Sequence, residues 1–180
     1  MTRITPAPLV VVMGISGTGK TTVGELVAER LGLEYSDADA FHPQANIDKM
    51  SAGTPLTDED RWPWLEAIGA WLAERDASGG VVSCSALRRA YRDVLTDAAP
   101  RARFLHLDGD IELIRDRVAH RSGHFMPVSL LESQKDTLEL LGDDEPGLRV
   151  DVADSPAQIV DAFVAHLEQH ADTDTDTTGS

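Results

Sequence analysis

The segment from Gly14 to Thr21 reads GISGTGKT and matches the pattern G-x-x-x-x-G-K-[ST] in full. In this pattern glycines let the backbone wrap closely around an anion, and backbone N–H groups hold phosphate oxygens. We expect Lys20 to reach the β- and γ-phosphates of a nucleotide and the Thr21 hydroxyl to contact Mg²⁺. The predicted nucleotide-binding residues are Gly14, Ile15, Ser16, Gly17, Thr18, Gly19, Lys20, Thr21 and Thr22.

The flanking sequence supports this interpretation. The apolar run LVVVM at 9–13 precedes the motif, and a helical pattern at 20–31 follows it. A buried strand would thus deliver the loop to a helix N-terminus, where the helix dipole favours an anion. The alternative is a glycine-rich turn that binds no ligand.

Two carboxylates follow the second predicted strand, at 34–36: Asp37 and Asp39. On an extended segment, residues two apart point to the same side. Phosphoryl transfer to a hydroxyl needs one group for the acceptor and one for Mg²⁺. Our hypothesis assigns Asp37 to the metal and Asp39 to the acceptor hydroxyl, against the alternative of a solvated acidic turn. Asp108, which follows the predicted strand at 104–107, is a competing metal candidate or a helix cap.

Four arginines lie where an anion would need them. Arg61 is near the start of a predicted helix, and Arg88 follows the third strand. Arg117 and Arg121 are four residues apart, a spacing that places both on one helix face. They predict a lid at about 120–130 that closes positive charge over the transferring phosphoryl group and excludes water. For each arginine, a surface ion pair is the alternative.

Apolar runs of strand length alternate with amphipathic stretches of helix length. This alternation predicts parallel βαβ units: an α/β fold of three layers, α/β/α, around a five-stranded parallel sheet. Three segments fit no plain strand or helix, 37–55, 84–89 and 121–127, and should lie at the ligand-binding edge of the sheet. The predicted strands are 9–13, 34–36, 81–84, 104–107 and 148–152, and the predicted helices are 20–31, 58–75, 87–98, 111–119, 128–141 and 156–169.

Length and charge limit the possible partners. The 180 residues suit a single domain, expected at 1–170, with a disordered acidic tail at 171–180. The net charge of −15 argues against nucleic acid and membrane surfaces as partners, although not against a small anionic substrate. Cys84 is the single cysteine, and no apolar run resembles a signal or a membrane span. We therefore expect a cytoplasmic protein.

The remaining motifs weigh against two classes of nucleotide-binding protein. No acid follows the third strand, and the sequence contains no Asn-Lys-x-Asp motif. Motor ATPases and GTPases are therefore disfavoured. A nucleotide-dependent switch without transfer chemistry stays open as an alternative to a kinase.

Several longer segments carry a resemblance to a known family. The sequence from Asp37 to Met50, the sequence from Gly53 to Leu65, and CSALR at 84–88 resemble bacterial gluconate kinases. Tyr91-Arg92-Asp93, GHFM at 123–126 and Ser133-Gln134 add to the similarity, which extends over about 9–166.

That resemblance implies a P-loop NTPase fold of the nucleoside-monophosphate-kinase type, related to shikimate kinase. It implies transfer of the ATP γ-phosphoryl group to the 6-hydroxyl of D-gluconate with Mg²⁺, in a possible homodimer. A shikimate-type kinase is the nearest alternative. By position, Asp39 would contact the acceptor hydroxyl and Asp37 would lie near Mg²⁺. The other implied residues are Arg61 and Arg88 for the sugar acid, Arg117 for the adenine side, Arg121 for the lid, and His42, Lys49, His124 and Gln134 as further substrate contacts.

Overall fold

A parallel sheet of five strands forms the centre of the computed structural model, which describes residues 2–120 and 128–174. The spatial order is β2-β3-β1-β4-β5, and every pairing is parallel. The predicted α/β fold and its five-stranded parallel sheet are confirmed. The strands are β1 (Leu9–Met13), β2 (Tyr35–Asp37), β3 (Gly80–Ser83), β4 (Ala102–Asp108) and β5 (Gly147–Asp151).

Six helices and one 3₁₀ turn connect the described strands, a seventh helix follows β5, and two of these elements were not predicted. The 3₁₀ turn and α2 lie within 37–55, a segment that the sequence pattern left without regular structure. None of the helices in the described ranges is both long and apolar enough to cross a bilayer. The helices are α1 (Lys20–Leu31), α2 (Gln44–Ser51), α3 (Asp58–Glu74), α4 (Arg89–Ala98), α5 (Ile111–Ala119), α6 (Val128–Thr137) and α7 (Pro156–Asp174), and the 3₁₀ turn is Ala38–Phe41.

Two helix ends differ from the prediction by several residues. Helix α6 ends at Thr137, short of the predicted 141. Helix α7 continues past the predicted 169 to Asp174, so the first part of the segment expected as a tail is helical. Residues 175–180 lie outside the described part of the chain.

The central strand β1 shows how the layers form. All of its residues are fully buried, because α-helices cover both faces of the sheet. Val10 and Val12 point into a core with α1, α5, α6 and α7, whereas Leu9, Val11 and Met13 point into a core with α3 and α4. This alternation gives the predicted three-layer α/β/α arrangement.

A buried ion pair links the segment after β3 to the segment before β5. Arg92 on α4 and Glu145 are only 1% and 6% exposed, and their closest N–O distance is 2.7 Å. The same guanidinium donates to the carbonyl oxygen of Ala86 at 2.8 Å. Ala86 has a φ of 45°, a left-handed conformation that alanine rarely adopts. Arg92 thus holds in place a strained segment just before Arg88.

We expect Arg92→Met to lower the free energy of unfolding by about 3–5 kcal/mol, because Glu145 would remain as a buried carboxylate without its partner. Arg89→Met is the matched control. Arg89 pairs with Asp144 at 2.6 Å, but these side chains are 44% and 67% exposed, so its loss should cost less than about 1 kcal/mol. Urea denaturation of both variants measures the difference. Equal losses would contradict the assignment of a structural role to the buried pair.

His106 on β4 is fully buried, and burial lowers the pKa of its imidazole to about 4. Its Nδ1 accepts a hydrogen bond from the backbone N–H of Leu141 at 3.4 Å. Its Nε2 is buried without a partner among the described residues. The folded protein therefore keeps this histidine neutral at pH values at which the unfolded chain would protonate it.

The stabilisation from neutral His106 should be complete above the ordinary histidine pKa of 6.5 and lost as the pH falls through about 4. Within that window the unfolded state binds more protons, so the free energy of unfolding rises with pH. The full effect is about 3 kcal/mol at most. Urea unfolding of wild type and His106→Gln across this window measures it. The variant should show the shallower pH dependence, and identical slopes would refute the interpretation.

Candidate active site

The segment Gly14–Thr21, which we call the phosphate loop, lies between β1 and α1 and is held by its own side chains. The Lys20 ammonium donates to the carbonyl oxygens of Gly14 and Ile15, both at 3.0 Å. The Thr18 hydroxyl donates to the Ile15 carbonyl oxygen at 2.8 Å. The N–H of Gly14 donates to the Ser85 carbonyl oxygen at 3.2 Å, which joins the loop to the end of β3. The conformation of the loop is therefore supported by contacts within the chain.

Two glycines are required by this geometry. Gly17 has a φ of 85°, and a Cβ there would lie 2.4 Å from Cγ2 of Val118 on α5. Gly24 on α1 lies so close to the sheet that a Cβ would be 2.7 Å from the Ser83 Oγ and 2.7 Å from a ring carbon of Tyr35. Side chains at these positions would push α5 from the loop and α1 from β2 and β3.

A cleft of about 230 Å³ opens beside the phosphate loop. Arg117, on the last turn of α5, lies in its lining. Sequence reasoning missed the opposite wall, because those residues form no motif. Their position directly after a parallel strand, β5, is the signal that could have found them. The missed lining residues are Val152, Asp154, Pro156 and Ile159.

Asp37 and Asp39 come together for a different reason from the one predicted. Asp37 ends β2, and its Oδ1 accepts a hydrogen bond from the N–H of Asp39 at 2.9 Å. This bond caps the 3₁₀ turn Ala38–Phe41, so Asp39 lies in a turn. The expectation of an extended segment was wrong, because a side-chain cap competes successfully with strand geometry here.

The charges at this edge of the sheet converge on Cys84, which follows β3. Burial raises the pKa of the Cys84 thiol to about 12. The positive charge of Lys20 lowers the pKa of this thiol, whereas the negative charges of Asp39 and Asp37 raise it further. The thiol is therefore inert, and the phosphate-loop ammonium and both carboxylates are close enough to act on it electrostatically.

Thr21 and Asp37 both lie near Tyr35, whose pKa is raised by burial in the first place. The Thr21 hydroxyl hydrogen-bonds to this tyrosine, and the Asp37 charge adds to the rise. Mg²⁺ in nucleotide sites takes one or two protein oxygens together with phosphates and water. A hydroxyl and a carboxylate near the phosphate loop fit that pattern. No cluster of three possible metal ligands occurs in the described ranges.

Asp108, the competing metal candidate, lies 3.4 Å from the ammonium of Lys135. It is therefore already paired with a cation. Asp110, which follows it, caps α5 by accepting from the N–H of Glu112 at 2.7 Å.

His42 lies at the end of the 3₁₀ turn that carries Asp39. Its ring stacks on Trp64 of α3 with centroids 4.4 Å apart, and the Trp64 Nε1–H donates to the Ala38 carbonyl oxygen at 2.8 Å. Burial lowers the pKa of His42, Asp39 raises it and Arg61 lowers it further. His42 is thus within electrostatic range of both charged groups. Trp64 is a core residue, and it also anchors the turn that carries Asp39.

Lys49 on α2 is the next predicted substrate contact. Its ammonium contacts both Asp60 oxygens, at 2.9 and 2.8 Å, and this pairing is the main reason why the pKa of Asp60 falls to about 2. Asp60 also forms a reciprocal cap with Thr57 at the start of α3. The side chain of Asn46 donates to the Asp60 carbonyl oxygen at 2.9 Å. These contacts join α2 to α3.

Arg61 and Arg88, which we call the arginine pair, are brought together as predicted. Arg61 comes from α3 and Arg88 from the segment before α4. Each guanidinium Nη1 contacts Asp58, at 3.4 Å for Arg61 and 3.5 Å for Arg88. The Tyr91 hydroxyl donates to the same carboxylate at 2.6 Å. Guanidinium groups can bind carboxylate or phosphate oxygens through paired N–H groups.

Gln134 on α6 contacts the phosphate loop: its Oε1 accepts from the N–H of Ser16 at 2.7 Å. Gln134, a predicted substrate contact, therefore lies on the side of the site that carries the phosphate loop. Arg121 and His124, predicted as lid and substrate contacts, lie outside the described residues, as do most of the positions of the predicted lid. Helix α5 ends at Ala119, before Arg121.

The chain is similar to known proteins both in sequence and in structure. A family model described as shikimate kinase matches residues 16–163. A gluconokinase from Gluconobacter oxydans is 48% identical over 160 residues, which are 88% of this chain and 90% of the relative. The thermosensitive gluconokinase of Escherichia coli is 44% identical over 154 residues, 84% of this chain and 82% of the relative. The crystal structure of a gluconokinase from Sinorhizobium meliloti 1021 matches with a TM-score of 0.87 and 47% identity, covering 99% of this chain and 100% of that chain.

Replacing Lys20 by alanine should weaken binding of a non-hydrolysable ATP analogue by about 10- to 100-fold, because charge-assisted hydrogen bonds to phosphate are lost. The melting temperature should change little. Lys49→Ala is the control, since that ammonium pairs with Asp60 on α3. Calorimetric titration measures both variants. If Lys20→Ala bound the nucleotide as tightly as wild type, the assignment of the phosphate loop to the nucleotide-binding site would be wrong.

Proposed function

The chain belongs to the gluconokinase family and also matches the shikimate kinase family model, and we propose that it transfers the γ-phosphoryl group of ATP to the 6-hydroxyl of D-gluconate. The observation that carries the proposal is the placement of the charged groups on segments that follow parallel strands at one edge of the sheet. Arg61 and Arg88 both contact Asp58, Asp39 and Arg61 both act electrostatically on His42, and Lys20, Asp37 and Asp39 all act electrostatically on Cys84. The phosphate loop and the arginine pair therefore belong to the same edge of the sheet.

The nucleotide end orients the phosphates. Backbone N–H groups of the phosphate loop and the start of α1 hold the β- and γ-phosphates. Lys20, which the loop carbonyls keep in place, adds the positive charge that the transferring group needs. Arg117 and the residues after β5 would enclose the adenine in the cleft that they line. Mg²⁺, held by Thr21 and Asp37, would neutralise charge on the phosphate oxygens.

The acceptor end orients the sugar acid. The arginine pair binds the carboxylate at one end of the linear molecule, so that the 6-hydroxyl at the other end extends toward Asp39. Asp39 accepts the hydroxyl proton as the oxygen attacks the γ-phosphorus. The bond from that phosphorus to the β–γ bridging oxygen breaks, and ADP leaves. His42 and Lys49 are proposed to hydrogen-bond the hydroxyls of the sugar acid that lie between its carboxylate and its 6-hydroxyl.

A shikimate-type kinase is the second candidate, because the matched family model carries that description. The gluconokinases at 44–48% identity favour the sugar acid. A coupled assay for ADP release with gluconate and with shikimate separates the two. Strong turnover of shikimate with none of gluconate would overturn the proposal. Slow hydrolysis of ATP that no acceptor accelerates would instead indicate a nucleotide-dependent switch.

Asp39→Asn should lower kcat with gluconate by about 10²- to 10⁴-fold, the usual effect of removing a general base. The KM for ATP should stay close to that of wild type, because Asp39 does not belong to the phosphate loop. Asp48→Asn is the control: Asp48 is an exposed acid on the neighbouring helix α2. Steady-state kinetics measure both variants. A kcat in Asp39→Asn equal to that of the control would deprive Asp39 of its role.

A further inference from the structure

Asp58 is the point at which three side chains from two helices and one connecting segment meet. Its Oδ1 accepts from the Tyr91 hydroxyl at 2.6 Å and from Arg61 at 3.4 Å, and its Oδ2 lies 3.5 Å from Arg88. The Tyr91 hydroxyl in turn accepts from Arg61 at 3.4 Å, and the Arg61 guanidinium lies 5.7 Å from the centre of the Tyr91 ring. The four side chains form one connected network.

From this network we propose that Asp58, held by Tyr91, is the positioning residue that fixes Arg61 and Arg88 as a single receptor for the substrate carboxylate. The inference rests on the proposed function, because it assumes a carboxylate at this end of the site. It assigns a role to two residues that make no contact with the reacting atoms.

The geometry leaves the receptor available. Arg61 contacts Asp58 and Tyr91 through its Nη1, and the contact of Arg88 with Asp58 is also through Nη1. Among the residues that the structure describes, the Nε and Nη2 groups of both arginines have no hydrogen-bond partner. A guanidinium can therefore stay on Asp58 and still offer a pair of N–H groups to the two oxygens of a ligand carboxylate.

Exposure explains why such a tether is needed. The side chains of Arg61 and Arg88 are 31% and 45% exposed. Long exposed side chains sample many rotamers, and ordering them on binding reduces affinity. Asp58 begins α3 directly after the capping residue Thr57, so its own position is fixed by the helix start. Tyr91 is buried and packs edge-to-face on Trp62, at a centroid distance of 5.7 Å. Asp58 and Tyr91, which are held in place, thus restrict the rotamers of the two exposed arginines.

The first test is kinetic. Asp58→Asn keeps the size of the side chain but presents an amide N–H₂ group to one arginine, which then loses its acceptor. The KM for gluconate should rise about tenfold, with kcat within about twofold of wild type and the KM for ATP unchanged, the pattern of lost uniform binding. Asp161→Asn, an exposed acid paired with Arg30 at 2.8 Å, is the control and should match wild type.

Tyr91→Phe separates orientation from charge, because it removes the hydroxyl from the network without changing any charge. The KM of Tyr91→Phe for gluconate should rise about threefold. All variants are also assayed at about 0.5 M salt, because salt screens the charge difference that Asp58→Asn introduces. A double-mutant cycle adds a readout that general destabilisation would not move. In an Arg88→Gln background, Asp58→Asn should raise KM by no more than about threefold, since one of its two targets is already gone.

The outcomes separate the inference from the proposed function. If wild type does not phosphorylate gluconate, the proposed function fails first. If wild type does so while Asp58→Asn keeps a normal KM, only the positioning role is overturned. The positioning role would also be overturned if the KM increases caused by Asp58→Asn and Arg88→Gln multiplied in full in the double mutant. A loss of kcat and of ATP affinity in parallel with the rise in KM would overturn it as well. A raised KM for gluconate alone, with a reduced effect in the Arg88→Gln background, supports it.

Discussion

The parallel arrangement of the sheet, with β1 at its centre, is the constraint on which the rest of the site depends. Parallel strands all end at the same edge, so the segments that follow β1, β2 and β3 must meet there. β1 pairs with β3 on one side and with β4 on the other. The phosphate loop therefore emerges between the segment that carries Arg88 and the segment that leads to α5.

Charge is balanced locally at this edge, although the chain as a whole is strongly acidic. The net charge is −15, yet four cationic side chains of the site have an acceptor nearby. Lys20 lies on loop carbonyls, Lys49 on Asp60, and the arginine pair on Asp58. These contacts hold long side chains where an anionic ligand would need them. At short range such ordered cations outweigh the global field, which is screened beyond about 10 Å.

The site is also tied to the far side of the sheet. Arg92 links Ala86 to Glu145, and the N–H of Glu139 donates to the Leu87 carbonyl oxygen at 2.7 Å. The segment that presents Arg88 is therefore fastened to the chain that leads from α6 to β5. Because α6 also carries Gln134, which contacts the phosphate loop, both ends of the site share one support.

The sequence by itself determined the elements and the chemistry of the motif residues. Apolar runs of strand length can only be buried, and alternation with amphipathic helices leaves few ways to do so other than a parallel sheet. The bounds of β1, α1 and α5 were predicted to the residue for this reason. The glycines of the phosphate loop and Lys20 were identified because their backbone chemistry is local.

Only the tertiary structure decided which groups meet. The short helix α2 was missed because its contacts, Asn46 and Lys49 on Asp60, come from another helix. The wall of the cleft after β5 and the junction at Asp58 depend on residues that are distant in sequence and share no spacing. Asp39 reached the site through a capped turn, since a hydrogen bond from its own N–H outweighed the extended geometry. Periodicity reports which face of an element is buried, whereas a contact between elements depends on packing that no single segment encodes.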